Sequence, residues 1–499
     1  MKIVLDAPGK TILEAARKAG VHINADCGGN GTCGKCTVQV EGHEEVLACQ
    51  FVLPKNDVAV YLSDFQLKFW SNFFKSSRGL GQRPKVFAST RQPESATSDN
   101  TYGVAFDIGT TTVVGIFCDL KTGKQIKAIA RTNPQNVYGA DIISRIQYAI
   151  RSPEDLKDVR QKIIDCLNEI IHESGIGCFI KKVAVVGNTA MSHFFLNVNP
   201  LSLARAPFEP AFLEAVTLSD EQLGIDLTDA EVHLLPNIAG YVGSDIVGVV
   251  LASEIYKLSG VSLVIDIGTN GEVLLAKDGE MLTCSTAAGP AFEGASISCG
   301  MRAAPGAIEK VELVGDCVRL EVIGSEKPIG LCGSGLISAV AQLLDAGIIN
   351  EKGRLHNDFV LADGVVLTQK DVRELQLAKG AIAAGIQVLL EKMSLTHKNI
   401  DRVMLAGAFG NHIDVYDALR IGLLPCVAPE RIIPIGNAAG AGACMALLSE
   451  ECCKHAAHLA KKVLHVELSD EPNFVDIHMK SMLFSTYPYG EKDENLNGQ

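Results

Sequence analysis

One short pattern occurs twice in this chain. Tyr102-Gly-Val-Ala-Phe-Asp107-Ile-Gly109-Thr110-Thr111-Thr112 returns later as Leu263-Val-Ile-Asp266-Ile-Gly268-Thr269-Asn270-Gly271-Glu272. Each copy is an apolar strand ending in Asp-Ile-Gly-Thr, and each runs on into a second apolar strand, 113–118 and 273–276. The pattern predicts two β-hairpins with polar tips. Such a tip suits a nucleoside triphosphate. Glycine lets the backbone bend around phosphates, Thr and Asn supply hydroxyl, amide and N–H donors, and an Asp at the strand end can hold Mg²⁺ through water. No GxxxxGK[ST] loop occurs, and no GxGxxG follows either strand, so neither a Walker A loop nor a dinucleotide fingerprint is present. Two copies predict a duplicated fold whose halves face each other across a cleft.

Further motifs sit where a duplicated ATPase needs them. Val183-Ala-Val-Val-Gly187-Asn188-Thr189-Ala190 is a strand leading through a glycine turn into a helix, and Leu405-Ala-Gly407-Ala408-Phe409-Gly410-Asn411 has the same shape. Ala288–Gly294 and Cys332-Gly333-Ser334-Gly335-Leu336 are small-residue turns. Gly436-Asn437-Ala438-Ala439-Gly440-Ala441-Gly442 opens a helix of small residues suited to a tight crossing. This ordered set resembles the actin-like ATPase superfamily. The resemblance implies that Asp107 and Asp266 are the Mg²⁺-holding or water-orienting carboxylates. It implies that Gly109, Thr110, Thr111, Gly268, Thr269 and Asn270 contact phosphate, and that Gly407, Ala408 and Gly410 line the adenosine. Lone histidines after such turns, His193 and His412, read as structural residues. Asp245 either reaches the cleft or caps a helix. The polar run from Arg131 to Arg145, with Asn133-Pro-Gln and Tyr138-Gly-Ala-Asp141, suits either a partner or an interdomain salt bridge.

The N-terminus carries a different chemistry. Of fifteen cysteines, four fall close together as Cys27-Gly-Gly-Asn-Gly-Thr-Cys33-Gly-Lys-Cys36 and Cys49. Gly28, Gly29, Gly31 and Gly34 permit the left-handed turns and close backbone approach that wrapping a cluster requires. The C-x5-C-x2-C…C spacing is one residue longer in its first gap than the plant-type 2Fe–2S pattern. Tetrahedral zinc on the same four thiolates is the rival, although only Cys33 and Cys36 form a CxxC knuckle. Thr11 and Glu14 predict a capping box for a helix over 12–19. Strands over 2–5, 36–41 and 46–49 predict a small mixed sheet around that helix. The arrangement resembles 2Fe–2S ferredoxin domains of the β-grasp fold. The other eleven cysteines read as buried or inert thiols.

Between these parts, Lys68, Lys75, Arg78, Arg83, Lys85 and Arg91 stand against Asp64, Glu94 and Asp99, a basic stretch in a chain of net charge −13. Phe65, Phe69 and Phe73 recur there at helical spacing, which predicts an aromatic helix docked on its own protein or a partner. The overall acidity argues against nucleic acid as the main partner. No run approaches the roughly 20 apolar residues of a membrane helix, and no signal peptide is legible, so a cytoplasmic, reducing setting is expected.

Nearly the whole chain resembles the reductive activators of corrinoid proteins, through CGGNGTCGKC, NPQNVYGADIISRI, VVGNTAMSHFF, PNIAGYVGSD, DIGTNGE, AAGPAFEG, CGSGLI and LAGAFGNHID. The resemblance implies an α/β and α+β multidomain protein. It places a β-grasp ferredoxin domain at 1–62, a basic linker at 63–101, an actin-like, ribonuclease H-like ATPase in two lobes at 102–260 and 261–453, and a C-terminal extension at 454–499. It implies a 2Fe–2S cluster on Cys27, Cys33, Cys36 and Cys49, and ATP with Mg²⁺. The implied activity passes one electron to an inactive cobalt(II) corrinoid of a methyltransferase system, restoring cobalt(I) under anaerobic conditions. Implied partners are that corrinoid protein, a low-potential electron donor and a second copy of the chain. Larger relatives insert an extra domain where only the linker stands here. Two other readings fit the same parts: a small-molecule kinase with a redox-sensing domain, and a chaperone-like ATPase with a structural iron–sulfur domain.

Overall fold

The computed structural model describes residues 2–5, 9–18, 23, 31, 36–40, 45–54, 58–61, 101–268, 270–315, 317–410 and 412–484. The proposed aromatic helix and nearly all of the linker lie outside the described residues, as do Cys27, Cys33 and Thr269. Among the described residues no helix is long and apolar enough to cross a membrane. The chain divides into two units, one of Met1–Tyr256 with Asn437–His465, the other of Lys257–Gly436 with Val466–Gln499.

At the N-terminus, β1 (Lys2–Leu5), β2 (Thr37–Val40), β3 (Glu45–Leu47) and β4 (Val58–Tyr61) form a sheet in the order β1-β4-β2-β3. Among the described residues each neighbouring pair is antiparallel, where the sequence suggested a mixed sheet. The reason is that β4 lies between β1 and β2 and opposes both. The strands joined through the helix are therefore parallel in space but do not pair. The helix runs Ile12–Lys18. Its capping box is formed: Thr11 N–H donates to Glu14 Oε2 at 3.0 Å, and Glu14 N–H donates to Thr11 Oγ1 at 3.2 Å. Ile12, Leu13, Ala16, Val38, Val40 and Val60 make the small core.

The rest of the first unit is built on β5 (Tyr102–Ile108), β6 (Thr112–Asp119), β7 (Gln125–Thr132), β8 (Ile180–Gly187), β9 (Val216–Ser219) and β10 (Glu231–Leu234), in the order β7-β6-β5-β8-β10-β9. β5 pairs antiparallel with β6 and parallel with β8. It is apolar without alternation because it is central and covered on both faces.

The second unit repeats this plan. Its main strands are β11 (Val261–Ile267), β12 (Gly271–Lys277), β13 (Glu280–Thr286), and, after a three-stranded sheet of β14 (Ala307–Val314), β15 (Cys317–Val322) and β16 (Gly330–Leu331) and a ribbon of β17 (Phe359–Ala362) and β18 (Val365–Leu367), β19 (Ile400–Ala406) and β20 (Ile432–Gly436). Side by side they run β20-β19-β11-β12-β13. β11 pairs antiparallel with β12 and parallel with β19, as β5 does with β6 and β8. The duplication read from two short motifs is thus a duplication of strand order and direction.

One segment of the later chain groups with the first unit. Residues 437–465, assigned from sequence to the second lobe and the tail, belong to the first unit. The cause is the glycine and alanine content of the Ala438–Leu448 helix, which packs on the Ser244–Ser253 helix. A Cβ at Gly442 would stand 2.0 Å from the Gly248 carbonyl oxygen, and one at Gly248 2.6 Å from that of Ala439. Only bare backbone allows this approach. From Val466 the chain belongs to the second unit again, where the Phe474–Ser481 helix packs on the Gln369–Lys392 helix.

Candidate functional site

In the first unit, Asp107, Gly109, Thr110 and Thr111 lie on one hairpin tip, as their spacing predicted. Gly109 N–H donates to the Thr112 carbonyl at 2.9 Å, and a Cβ at this glycine would lie 2.8 Å from that oxygen. The tip therefore needs glycine. Thr110 is buried, and its hydroxyl accepts from Asn188 Nδ2 at 3.0 Å. Asn188 is the N-cap of the Thr189–Phe195 helix, its Oδ1 accepting the Met191 N–H at 3.0 Å. One asparagine thus joins the glycine turn after β8 to the tip after β5. Parallel pairing makes this possible, because Ile108 stands opposite Gly187 in the register.

Asp107 is next to last on β5 and accepts from Asn437 Nδ2 at 2.8 Å. Asn437 also caps its own helix, Oδ1 accepting the Gly440 N–H at 2.7 Å. Part of the Asp107 surface stays open to solvent, yet enclosure of the carboxyl raises its pKa to about 6, against the opposing pull of the Asn437 bond. The sequence reading gave Asn437 only a packing role. The signal was there: an Asn ahead of a small-residue helix is an N-cap, and an N-cap side chain has a spare donor.

In the second unit, Gly268 N–H donates to the Asn270 carbonyl at 3.0 Å, closing the second tip. Gly271 is required there, since a Cβ would lie 2.6 Å from Ile382 Cγ1 and 2.7 Å from Thr286 Oγ1. Asp266 sits on β11 opposite Ala406 of β19, so the turn beginning at Gly407 starts beside the second tip. Gly407 has φ +82°, and a Cβ on it would lie 2.6 Å from Asp266 Oδ1. Gly410 closes the same short helical turn, Gly407–Gly410, against Leu405. Ala408 lies in this turn by its backbone. The structure thus brings Asp266, Gly268 and Asn270 together with Gly407.

In the small N-terminal sheet, Cys36 and Cys49 are both buried, and their sulfurs stand 3.3 Å apart. That is far beyond the roughly 2.05 Å of a disulfide. Gln50 Nε2 lies 3.9 Å from Cys49 Sγ as a donor. Gly31, at φ +76°, tucks against the Gln50 side chain, with room for no Cβ beyond 2.8 Å. Two buried cysteines that form no disulfide and converge beside an amide donor fit thiolate ligation of an iron–sulfur cluster.

Other singled-out residues have local partners. His193 is fully buried; Nδ1 lies 2.7 Å from the Thr189 carbonyl and Nε2 accepts the Ala211 N–H at 3.1 Å, and burial depresses its pKa. Asp245 stands in the first turn of the Ser244–Ser253 helix, its Oδ1 accepting the Ile246 N–H at 2.8 Å. Cys332 is buried against the Ile308 carbonyl, and Cys453 faces the Ala446 carbonyl.

Three family models match successive parts of the chain. Residues 2–54 match the 2Fe–2S iron–sulfur cluster binding domain, 102–258 the RACo middle region, and 260–491 the C-terminal ASKHA domain of RACo. A protein of Eubacterium limosum named corrinoid activation enzyme RamQ is 30% identical over 95% of this chain and 96% of its own length. A Methanosarcina barkeri reductase of the Co(II) methylated amine-specific corrinoid protein is 28% identical over 77% of each. Among solved structures, a reductive activator for a corrinoid iron–sulfur protein superposes with a TM-score of 0.71 at 29% identity, covering 96% of both chains.

Proposed function

The chain belongs to the family of corrinoid activation enzymes, and we propose that it uses ATP to drive one electron onto the cobalt(II) corrinoid of a methyltransferase component. The supporting observation is the pairing of two chemistries on one chain: converging buried thiols at Cys36 and Cys49, and two Asp-Gly-Thr hairpins on repeated strand orders.

Cys36 and Cys49, with Cys27 and Cys33 outside the described residues, would hold a 2Fe–2S cluster. When bound, a cluster of this kind supplies single electrons near about −400 mV. The burial of Cys36 and Cys49 limits water around those two sulfurs. Each hairpin serves as a phosphate-binding loop of an ATP site, through Gly109, Thr110 and Thr111 in one unit and Gly268, Thr269 and Asn270 in the other. Asp107 and Asp266 would hold Mg²⁺ or its waters at the strand ends. Gly407, Ala408 and Gly410 form the adenosine turn, where a left-handed glycine lets the chain pass close to Asp266.

The electron balance explains the need for ATP. Cobalt(II) gains one electron to become cobalt(I). An acceptor below the donor's potential is reduced only slightly, by a factor of about ten per 59 mV. Binding and hydrolysis of ATP bias that equilibrium by changing the acceptor's ligation in the complex. A low-potential electron donor upstream and a homodimeric assembly complete the proposal.

The test is anaerobic mixing of the reduced protein with cobalt(II) corrinoid proteins, with and without MgATP, followed by cobalt(I) absorbance. ATP-dependent cobalt(I) is the expected result. Its absence with every candidate corrinoid protein overturns the proposal. Phosphate transfer to a small acceptor by a cluster-free variant would instead favour a kinase.

A further inference from the structure

By sequence the polar run between Arg131 and Arg145 suits a partner or an interdomain salt bridge. Within it the structure forms a buried polar turn applied to the first hairpin tip, while Arg131 pairs with Glu173 and Ile143 stays exposed. Asn133, Gln135 and Arg145 are all fully buried. Asn133 caps the 3₁₀ turn Pro134–Tyr138, its Oδ1 accepting the Gln135 N–H at 2.9 Å. Its other side-chain atom points at the hairpin tip: Nδ2 donates to the Gly109 carbonyl at 2.8 Å. Its backbone N–H donates to the Thr111 carbonyl, also at 2.8 Å.

The rest of the turn is held from behind. Gln135 Nε2 donates to the Val159 carbonyl at 2.9 Å. Arg145 donates through Nε to the Gly139 carbonyl at 2.8 Å and through Nη2 to Asn136 Oδ1. Its guanidinium stays charged at any accessible pH, so these bonds do not come and go with protonation. Gly139 has no room for a Cβ, which would lie 2.4 Å from Ser144 Cβ. The turn is therefore rigidly placed.

We propose that Asn133 is a positioning residue for the first phosphate loop. An anion is attracted by N–H groups and repelled by carbonyl oxygens. The Gly109 carbonyl is bonded by the Asn133 side chain, the Thr111 carbonyl by its backbone, and the Thr112 carbonyl by Gly109 N–H. With three acceptors engaged by the fold, the loop is biased to present donors to phosphate. Asn133 acts by fixing the polarity of the loop. This inference rests on reading residues 107–112 as a phosphate loop.

Two variants separate a donor role from a capping role. Asn133→Asp keeps an acceptor for the Gln135 N–H and remains a good cap, but it cannot donate to Gly109. Asn133→Ala loses both. Steady-state ATP hydrolysis and equilibrium MgATP binding are measured on the full chain, together with cluster absorbance and melting temperature. Gln376→Ala is the control for lost stability, because Gln376 is buried and donates at 2.9 Å to the Met482 carbonyl in the other unit. The expected result is a rise of at least tenfold in KM and Kd for MgATP in both Asn133 variants, with kcat within about threefold and the cluster spectrum unchanged. The control should melt earlier with KM unaltered. An Asn133→Asp protein that folds and binds MgATP within twofold of wild type overturns the inference while leaving the phosphate-loop reading intact. Wild type that binds no MgATP overturns both.

Discussion

Asn437 donates to Asp107 Oδ2 at 2.8 Å while capping the Ala438–Leu448 helix through the Gly440 N–H at 2.7 Å. One amide therefore ties the carboxylate at the end of β5 to a helix start far along the chain. Its two halves do separate work, the oxygen for the helix and the nitrogen for the aspartate.

Removing that amide should be felt twice. Asn437→Ala loses an N-cap, at about 1 kcal/mol, and a hydrogen bond to a carboxylate, at about 1.5–3 kcal/mol. We expect a destabilisation of about 2–4 kcal/mol in urea unfolding and an ATPase rate reduced at least tenfold. Asn437→Asp keeps the cap but sets two carboxylates together, so it should recover part of the stability and none of the rate. Full ATPase activity in Asn437→Ala would remove Asp107 orientation from the mechanism.

Gly407→Ala should damage the nucleotide site without touching the N-terminal domain. The left-handed φ of +82° costs an alanine about 1–2 kcal/mol, and the new Cβ would stand 2.6 Å from Asp266 Oδ1. The expected outcome is a tenfold or greater loss of MgATP affinity by titration, with the iron–sulfur absorbance unaltered.

Cys36→Ser separates the two chemistries in the opposite sense. It removes one of two converging buried thiols and leaves both hairpins alone. Visible absorbance and the reduced electron-spin signal of the cluster should be lost or shifted, and cobalt(I) formation abolished, while ATP hydrolysis by the isolated protein persists. Equal loss of ATP hydrolysis would point to a structural role for the cluster.

Lys379 supplies a pH-dependent contribution to stability. It is almost wholly buried, donates to the Leu483 carbonyl, and lies 5.5 Å from the Phe484 ring centroid. Burial lowers its pKa to about 7. Between that value and the ordinary lysine range the unfolded chain binds a proton that the folded chain does not, so stability rises with pH across this window. Lys379→Met removes the dependence. Relative to that variant, wild type should gain about 2 kcal/mol between pH 7 and pH 9, at about 1.4 kcal/mol per unit, in chemical unfolding at the two pH values. A constant difference between the two proteins would show that the lysine titrates outside this range.

Much of the plan was legible in the residues because it depends on short-range pattern. The Asp-Ile-Gly-Thr tips, the strands around them, the Thr11–Glu14 capping box and the cysteine loop are each written within a few neighbouring positions. The antiparallel pairing of the described N-terminal strands was not legible, because strand neighbours are chosen by where β4 inserts, and β4 is remote from β1 and β2 in sequence. The inward bonding within the run at 131–145 was not legible for a similar reason. Asparagine, glutamine and arginine read as surface residues, and only burial shows that they bond inward to a hairpin tip.

The sequence by itself determined which candidate chemistries stand on this chain: cysteines in a glycine-rich loop, and Asp-Ile-Gly-Thr tips made twice, for which we propose cluster and phosphate binding. Residue type and local spacing suffice for that, because glycine, cysteine and a strand-end aspartate have few other uses in such combinations. Tertiary structure alone decided which distant groups serve each site. Asn437 on Asp107, Asn188 on Thr110, Asn133 on Gly109 and Gly407 beside Asp266 follow from parallel and antiparallel strand pairing and from helices of small residues that approach to backbone distance. Such contacts are set by the register of whole sheets and the closeness of helix crossings, and no local stretch of sequence records either.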